Sequence, residues 1–350
     1  MKPAYKVPSM EEITAIPWNR YKVASTFSGC GGSCLGYRMA GFKVVYANEF
    51  IPEAQETYKA NHPNSFLDPR DIRTIQPSEI LSATGIAAGE LDLLDGSPPC
   101  SAFSTAGKRE GGWGEVKKYS DTEQRVDDLF FEYVRLLKGL QPKVFVAENV
   151  TGLVKGTAKG YFKTILAAMK ESGYNVTCRI LNSCWLGVPQ ARQRTIFVGT
   201  RNDLQVMPVH PEPLPYCYTI RDCLEGVSGD SLFRPLTPGT RLHDYWEASK
   251  PGDQFNKISK KRRGVDAFYS HIKMSPARQA NTITQVCAMY HWNEPRSLTI
   301  AELKRVSGFP DDFIFTGSFS KQWERIGRAV PPVMMSHVAS TIRSKILDLI

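Results

Sequence analysis

Long apolar runs are missing from this sequence. No stretch of its 350 residues approaches the roughly 20 apolar residues of a membrane-spanning helix. The opening stretch, MKPAYKVPSMEEITAIPWNR, lacks the apolar centre of a secretory signal. CxxC pairs are missing as well. Cys30 and Cys34 stand in a glycine-rich turn without histidines, and Cys178, Cys184, Cys217, Cys223 and Cys287 have no ligand-like neighbours. A disulfide framework and a zinc site are therefore not expected, and these seven thiols read as reduced and mostly buried. Internal repeats are absent too. These absences predict a protein of the cytoplasm that needs no membrane and no metal.

What is present is a 42% hydrophobic chain, long enough for two domains or one domain with an insertion. Its net charge of +9 and pI near 9.1 suit a polyanionic partner such as nucleic acid. Short β-rich runs alternate with amphipathic stretches through residue 205. Strands are expected over 21–27, 42–48, 91–96, 142–149 and 194–201, with helices at 34–41, from Pro52, and near 124–140. That alternation predicts a doubly wound α/β sheet. Beyond residue 205 prolines cluster, the periodicities fade and a basic run, KISKKRRG, appears. A separate loop-rich domain is expected there, followed by helices near 299–308 and 331–347.

The chemistry-bearing residues fall at the expected strand ends. STFSGCGGSCLGY follows the first strand, and its glycines at 29, 31 and 32 permit close backbone approach to a ligand at a helix start. GxGxxG would need glycine at position 34, where Cys34 stands, so a nucleoside site without a pyrophosphate fits better. Glu49 ends the second strand, placed for ribose hydroxyls, and Asp71 in DPRDI can accept from an adenine amino group. Cys100, in GSPPCSAFSTAG, sits just after a strand at the carboxyl edge where open α/β sheets hold ligands. Pro98 and Pro99 stiffen its approach, and the stretch 101–122, with Lys108, Arg109, Lys117 and Lys118, reads as a mobile basic lid. A thiol of ordinary acidity needs activation to act as a nucleophile. Glu148 ends the next strand as a candidate acid, and Arg192 and Arg194 alternate along an extended segment.

Taken with FSGCGG, GSPPCSAFS, ENV, QARQR and the ordered pair RSLTIAELKRVSGFPDDF and IGRAVPP, the chain resembles the DNA cytosine-5 methyltransferases over nearly its whole length. The resemblance implies a Rossmann-like S-adenosylmethionine-dependent methyltransferase sheet and a smaller target recognition domain. It implies Cys100 as the nucleophile, Glu148 as the group that protonates or hydrogen-bonds the ring at N3 and the amine, Arg194 on the carbonyl oxygen, and Arg192 supporting the Cys100 side. Asn149 would order the catalytic loop. The cofactor contacts it implies are Phe27, Gly29, Gly31, Glu49, Phe50, Asp71, Ile72, Pro99, Leu129, Ala329 and Val330, with Phe50 stacked on the adenine. S-adenosylhomocysteine would be the product.

On this resemblance residues 1–205, completed by 318–350, form the catalytic domain, and 206–317 form the target recognition domain and hinge. ANTITQ (280–285) is similar to the segment that ends that domain. Double-stranded DNA is the implied partner of a monomeric enzyme of bacterial or phage origin, with a possible restriction endonuclease sharing its site. A tRNA cytosine-5 methyltransferase and a catalytically silent DNA-binding relative are the alternatives, although SAFSTAG is more like the DNA group. One departure stands out: Arg328 follows Gly327 where the family usually carries asparagine.

Overall fold

The structure, a computed structural model, describes residues 2–99, 117–119, 122–124, 128–154, 159–227 and 232–350. Its centre is a seven-stranded sheet. In chain order the strands are β1 (Lys22–Thr26), β2 (Lys43–Asn48), β3 (Phe66–Asp68), β4 (Leu93–Gly96), β5 (Val144–Val150), β6 (Tyr174–Asn182) and β7 (Gln193–Arg201). Their spatial order is β3-β2-β1-β4-β5-β7-β6. The first five run parallel, and β7 runs antiparallel to both of its neighbours. The α/β sheet expected from the sequence is therefore present. The strand expected at 194–201 is present as β7 but runs in reverse, and the edge strand β6 is added.

The central strands are apolar on both sides because both faces are covered. Val144 and Val146 of β5 join Val23, Leu93 and Ile196 in one cluster, while Phe145 and Ala147 join Leu94 and Phe197 in another. This is the two-residue period of a strand sorted between two cores. Helices α1 (Gly32–Met39) and α10 (Pro332–Lys345) cover the first face through Tyr37, Met334 and Val338. Helices α4 (Leu129–Leu140) and α5 (Lys159–Glu171) cover the second through Tyr133, Leu137, Ile165 and Met169. Between them in sequence lie α2 (Pro52–Asn61) and α3 (Pro77–Thr84), each with proline in its first turn, where a missing N–H costs nothing.

A third cluster joins distant parts of the chain. Cys30 and Leu35 from the glycine turn and α1 pack with Leu303 and Val306 of α8 (Ile300–Val306). Phe309, Phe313, and Trp323 and Ile326 of α9 (Phe319–Arg328) complete it. A fourth, smaller cluster of Leu236, Tyr245, Phe255 and Tyr290 lies within 206–317.

The expectation of a loop-rich stretch beyond residue 205 needs correcting in one respect. Helices α6 (Arg241–Ala248) and α7 (Phe255–Arg263) lie there, and the basic run KISKKRRG is on α7 and its glycine stop. Phe255 and Ser259 are buried one helical turn apart, while Lys257, Lys260, Lys261, Arg262 and Arg263 are exposed. One narrow apolar stripe among so many charges gives a weak periodic signal. Gly264, at φ 69°, ends the helix in the left-handed conformation.

Candidate active site

The glycine turn is built as a ligand cradle. As β1 ends, Phe27, Gly29 and Gly31 take φ values of 53°, 57° and 89°, and Gly31 caps the start of α1. Glu49, just beyond β2, reaches back to this turn. Its Oε2 accepts from the Gly29 N–H at 2.8 Å, and its Oε1 accepts from the Ile51 N–H at 2.6 Å. Burial pushes this carboxyl up, against the pull of the two amides and of the Arg325 and Arg328 charges. Each oxygen still has a lone pair to offer. A Cβ at Gly29 would meet nothing within 4 Å, so the turn faces open space there. At Gly32 a Cβ would fall 2.3 Å from the Val330 carbonyl oxygen, which brings α1 flush against the chain between α9 and α10.

Phe27, Ile72 and Leu129 share one apolar cluster. Asp71 caps a short 3₁₀ turn by accepting from the Arg73 N–H at 3.0 Å, and its carboxylate is ion-paired with Arg73 at 3.0 Å. Arg73 in turn pairs with Asp128 at 2.7 Å, which ties the Asp71 loop to the start of α4. Phe50 is half-buried beside Glu49, Val330 is buried, and Ala329 and Pro99 are half-buried. An open glycine turn, a buried carboxylate with spare lone pairs and a surrounding apolar wall together fit a nucleoside with an amino-acid tail. The residues present thus fit S-adenosylmethionine.

Two of the catalytic candidates, Glu148 and Arg194, meet at neighbouring strand ends. Gly96 of β4 pairs with Ala147 of β5, so Glu148 lies beside the exit of β4 towards Pro98 and Pro99. Cys100 and the stretch through 116 lie outside the described residues. Asn149 Nδ2 donates to the Pro98 carbonyl at 3.1 Å and so fixes the approach to Cys100. Glu148 and Arg194 form an ion pair of 2.7 Å with both side chains nearly buried. Arg194 Nη1 also donates to the Gln193 carbonyl at 2.8 Å.

Arg192 is placed differently from its neighbour. It is 2% exposed, and its guanidinium donates to the carbonyls of Ile283 at 2.8 Å and Arg328 at 3.4 Å. Burial pushes its pKa well down, and the nearby Arg194 charge adds to the effect. Arg328, in the position where the family usually has asparagine, is ion-paired with Glu324 at 2.8 Å.

One buried acid was not singled out in the sequence. Asp95, inside β4, accepts from Ser25 Oγ at 2.9 Å and from Tyr37 OH at 3.1 Å, and burial pushes it up to about 7. A carboxylate inside the apolar run LDLLDG was the available signal. Among the described residues, His243, Asp244 and Glu247 on α6 are close enough together to hold a metal ion; the last two are exposed. No described helix is long and apolar enough to cross a membrane.

A sequence model of the C-5 cytosine-specific DNA methylases matches residues 21–344. The chain belongs to that family. These are S-adenosylmethionine-dependent methyltransferases, and the C5-methylase fold carries the Rossmann-like sheet described above. The Type II methyltransferase M1.HphI of Haemophilus parahaemolyticus is 30% identical over 327 residues, covering 90% of this chain and 85% of the relative. The Type II methyltransferase M.NgoFVII of Neisseria gonorrhoeae is 31% identical over 344 residues, covering 93% and 87%. Among solved structures, a candidate DNA modification methyltransferase encoded within an E. coli prophage superposes with a TM-score of 0.69. It is 22% identical and the match covers 93% of this chain and 99% of that one. A Spodoptera frugiperda DNMT2 mutant gives 0.63 at 16% identity, over 90% and 97%. At these identities the two structures speak for the fold alone.

Proposed function

We propose that this C5 DNA methylase modifies cytosine at a defined duplex sequence through a covalent bond between Cys100 and carbon 6 of the base. Glu148, held beside the Pro98–Pro99 approach and paired with Arg194, is the observation that carries this reading. Carbon 5 of cytosine is a weak nucleophile. Attack of the Cys100 thiolate on carbon 6 gives an enamine whose carbon 5 is electron-rich. Glu148 donates a proton or hydrogen bond to N3 and accepts one from the exocyclic amine, so that negative charge does not accumulate on the ring. Arg194 binds the carbonyl oxygen. S-adenosylmethionine, when bound, supplies the methyl group for carbon 5. A base then removes the carbon 5 proton, and the electron pair of that bond expels the thiolate, restoring the ring. The base must leave the duplex stack for Cys100 to reach it.

Residues 1–205 with 318–350 are assigned to chemistry and cofactor binding, and 206–317 to target recognition. The small separate core around Tyr245 and Phe255 supports that division. Glu49 would hold the ribose, Phe50 and Asp71 the adenine, and Gly29, Gly31, Pro99, Ala329 and Val330 the amino-acid tail and its surroundings. The likeness to Type II methyltransferases of Haemophilus and Neisseria supports double-stranded DNA as the partner; a monomer acting in the cytoplasm, with a restriction endonuclease sharing its site, completes the reading.

The test is transfer of label from tritiated S-adenosylmethionine to unmethylated duplex DNA and, in parallel, to tRNA. Wild-type protein should label the DNA at carbon 5 of cytosine, and Cys100→Ala should lose at least 10³-fold of that activity, since the nucleophile is removed outright. Label in the tRNA alone would move the substrate to RNA. Equal labelling by both proteins would remove Cys100 from the mechanism.

A further inference from the structure

Three segments far apart in the chain meet at Arg192. QARQR and ANTITQ pair as short parallel strands, Ala280 beside Gln190 and Asn281 beside Ala191. Side chains extend the junction. Thr282 Oγ1 donates to the Ala191 carbonyl at 2.8 Å, and the Ile283 N–H donates to Gln190 Oε1 at 3.1 Å. Gln190 Nε2 donates in turn to Ser307 Oγ at 3.2 Å, just past α8. From the other side, Trp323 Nε1 of α9 donates to the Thr284 carbonyl at 3.0 Å. Gly327 lies so close to that same carbonyl oxygen that a Cβ would come within 2.2 Å of it.

Arg192 closes this junction. One arm of its buried guanidinium reaches Ile283 in ANTITQ and the other reaches Arg328, next to Ala329 and Val330. Val330 in turn lies against Gly32, where the glycine turn enters α1. Two nitrogens of this buried cation are used on backbone carbonyls of two separate segments, while its Nε, also buried, has no hydrogen-bond partner among the described residues.

We propose that Arg192 is a positioning residue that latches the 280–285 segment to the cofactor wall at 328–330. It acts on the cofactor through the backbone and need not touch the base. The latch holds the end of the recognition region and one wall of the nucleoside cradle as one unit. Residue 192 is thereby separated in role from Arg194, which faces Glu148. This inference rests on the methyltransferase reading of the site.

The experiment measures S-adenosylhomocysteine binding by calorimetry without DNA, together with the KM for S-adenosylmethionine and kcat on duplex DNA. The proteins are the wild type, Arg192→Met, Arg192→Lys and Gly327→Ala, each checked for folding by circular dichroism. Gly327→Ala presses on the same junction from the opposite side and leaves QARQR untouched. The latch predicts that Arg192→Met and Gly327→Ala weaken S-adenosylhomocysteine binding by roughly fivefold or more, within the usual range of coupling between sites. It predicts that KM rises by more than kcat falls, and that Arg192→Lys recovers part of the loss. A residue that merely supports the fold would lower the melting temperature with unchanged Kd and KM. Unchanged Kd in folded Arg192→Met with a collapsed kcat would place Arg192 at the substrate and overturn the latch, as would unchanged Kd in Gly327→Ala. Wild-type protein that binds no S-adenosylhomocysteine contradicts the methyltransferase reading and the latch with it. Wild type that binds beside equally tight variants overturns the latch alone.

Discussion

Asp95 shows how far the setting of a single side chain can depart from what its residue type suggests. It sits in β4, five residues before Cys100, with hydroxyls of Ser25 and Tyr37 as its hydrogen-bond donors. Burial lifts it to about 7, and the Glu148 charge on the same sheet adds to the rise. The Asp95 charge in turn reaches Cys34 and Tyr37 on α1, Tyr58 on α2 and Tyr133 on α4, and adds to the rise of each. Because the folded protein holds this proton more tightly than the unfolded chain, the group's contribution is most favourable at acid pH. It declines as pH rises from the ordinary carboxylate range near 4 to about 7, where the loss levels off. Asp95→Asn removes that dependence. Urea unfolding at pH 5 and pH 8 should show the variant gaining relative to wild type at the higher pH, by up to ~3 kcal/mol. A constant difference between the two proteins would mean that Asp95 does not titrate in this range.

At the scale of elements, helix α7 carries a prediction of its own. Lys260, Lys261 and Arg262 are exposed on it, within the region assigned to target recognition. If they neutralise DNA phosphates, replacing all three by glutamine should reduce the steepness of log K against log salt by about 1 to 3, at roughly 0.9 per phosphate contact. Fluorescence anisotropy over a salt series reads this directly, and an unchanged slope would leave α7 as a solvated face. The same helix marks the limit of what the sequence discloses. The parallel strands β1, β2, β4 and β5 were readable because they are short apolar runs with functional groups at or just past their carboxyl ends, whereas β3, with only three residues, was not. Glu49 and Glu148 followed from those ends, and Arg194 from the alternation in QARQR. Helix α7 was not readable, because its buried stripe is only Phe255, Ser259 and part of Ile258. Edge strand β6 was missed because much of it is half-exposed and its pattern is neither continuous nor alternating. The partners of Arg192 are backbone carbonyls 91 and 136 residues further along, and backbone carbonyls carry no residue signature.

Across the whole molecule, the two halves share structure as well as a site. Cys30 and Leu35 of the glycine turn lie in one apolar cluster with Leu303, Phe309 and Trp323, so the cofactor cradle is packed against the carboxyl-terminal part of the chain. The Asn149–Pro98 bond and the Glu148–Arg194 pair place an acid and a cation beside the approach to the thiol. The central claim is that this arrangement serves a covalent bond from Cys100 to the base. Duplex DNA in which 5-fluorocytosine replaces cytosine tests it most directly, because the fluorine at carbon 5 cannot depart as a proton does and the final elimination is blocked. With S-adenosylmethionine present, wild-type protein should accumulate a denaturation-resistant adduct with the mass of protein, DNA and one methyl group. Cys100→Ala should form none. Methylation of ordinary DNA without any such adduct, or an adduct that persists in Cys100→Ala, would contradict the account.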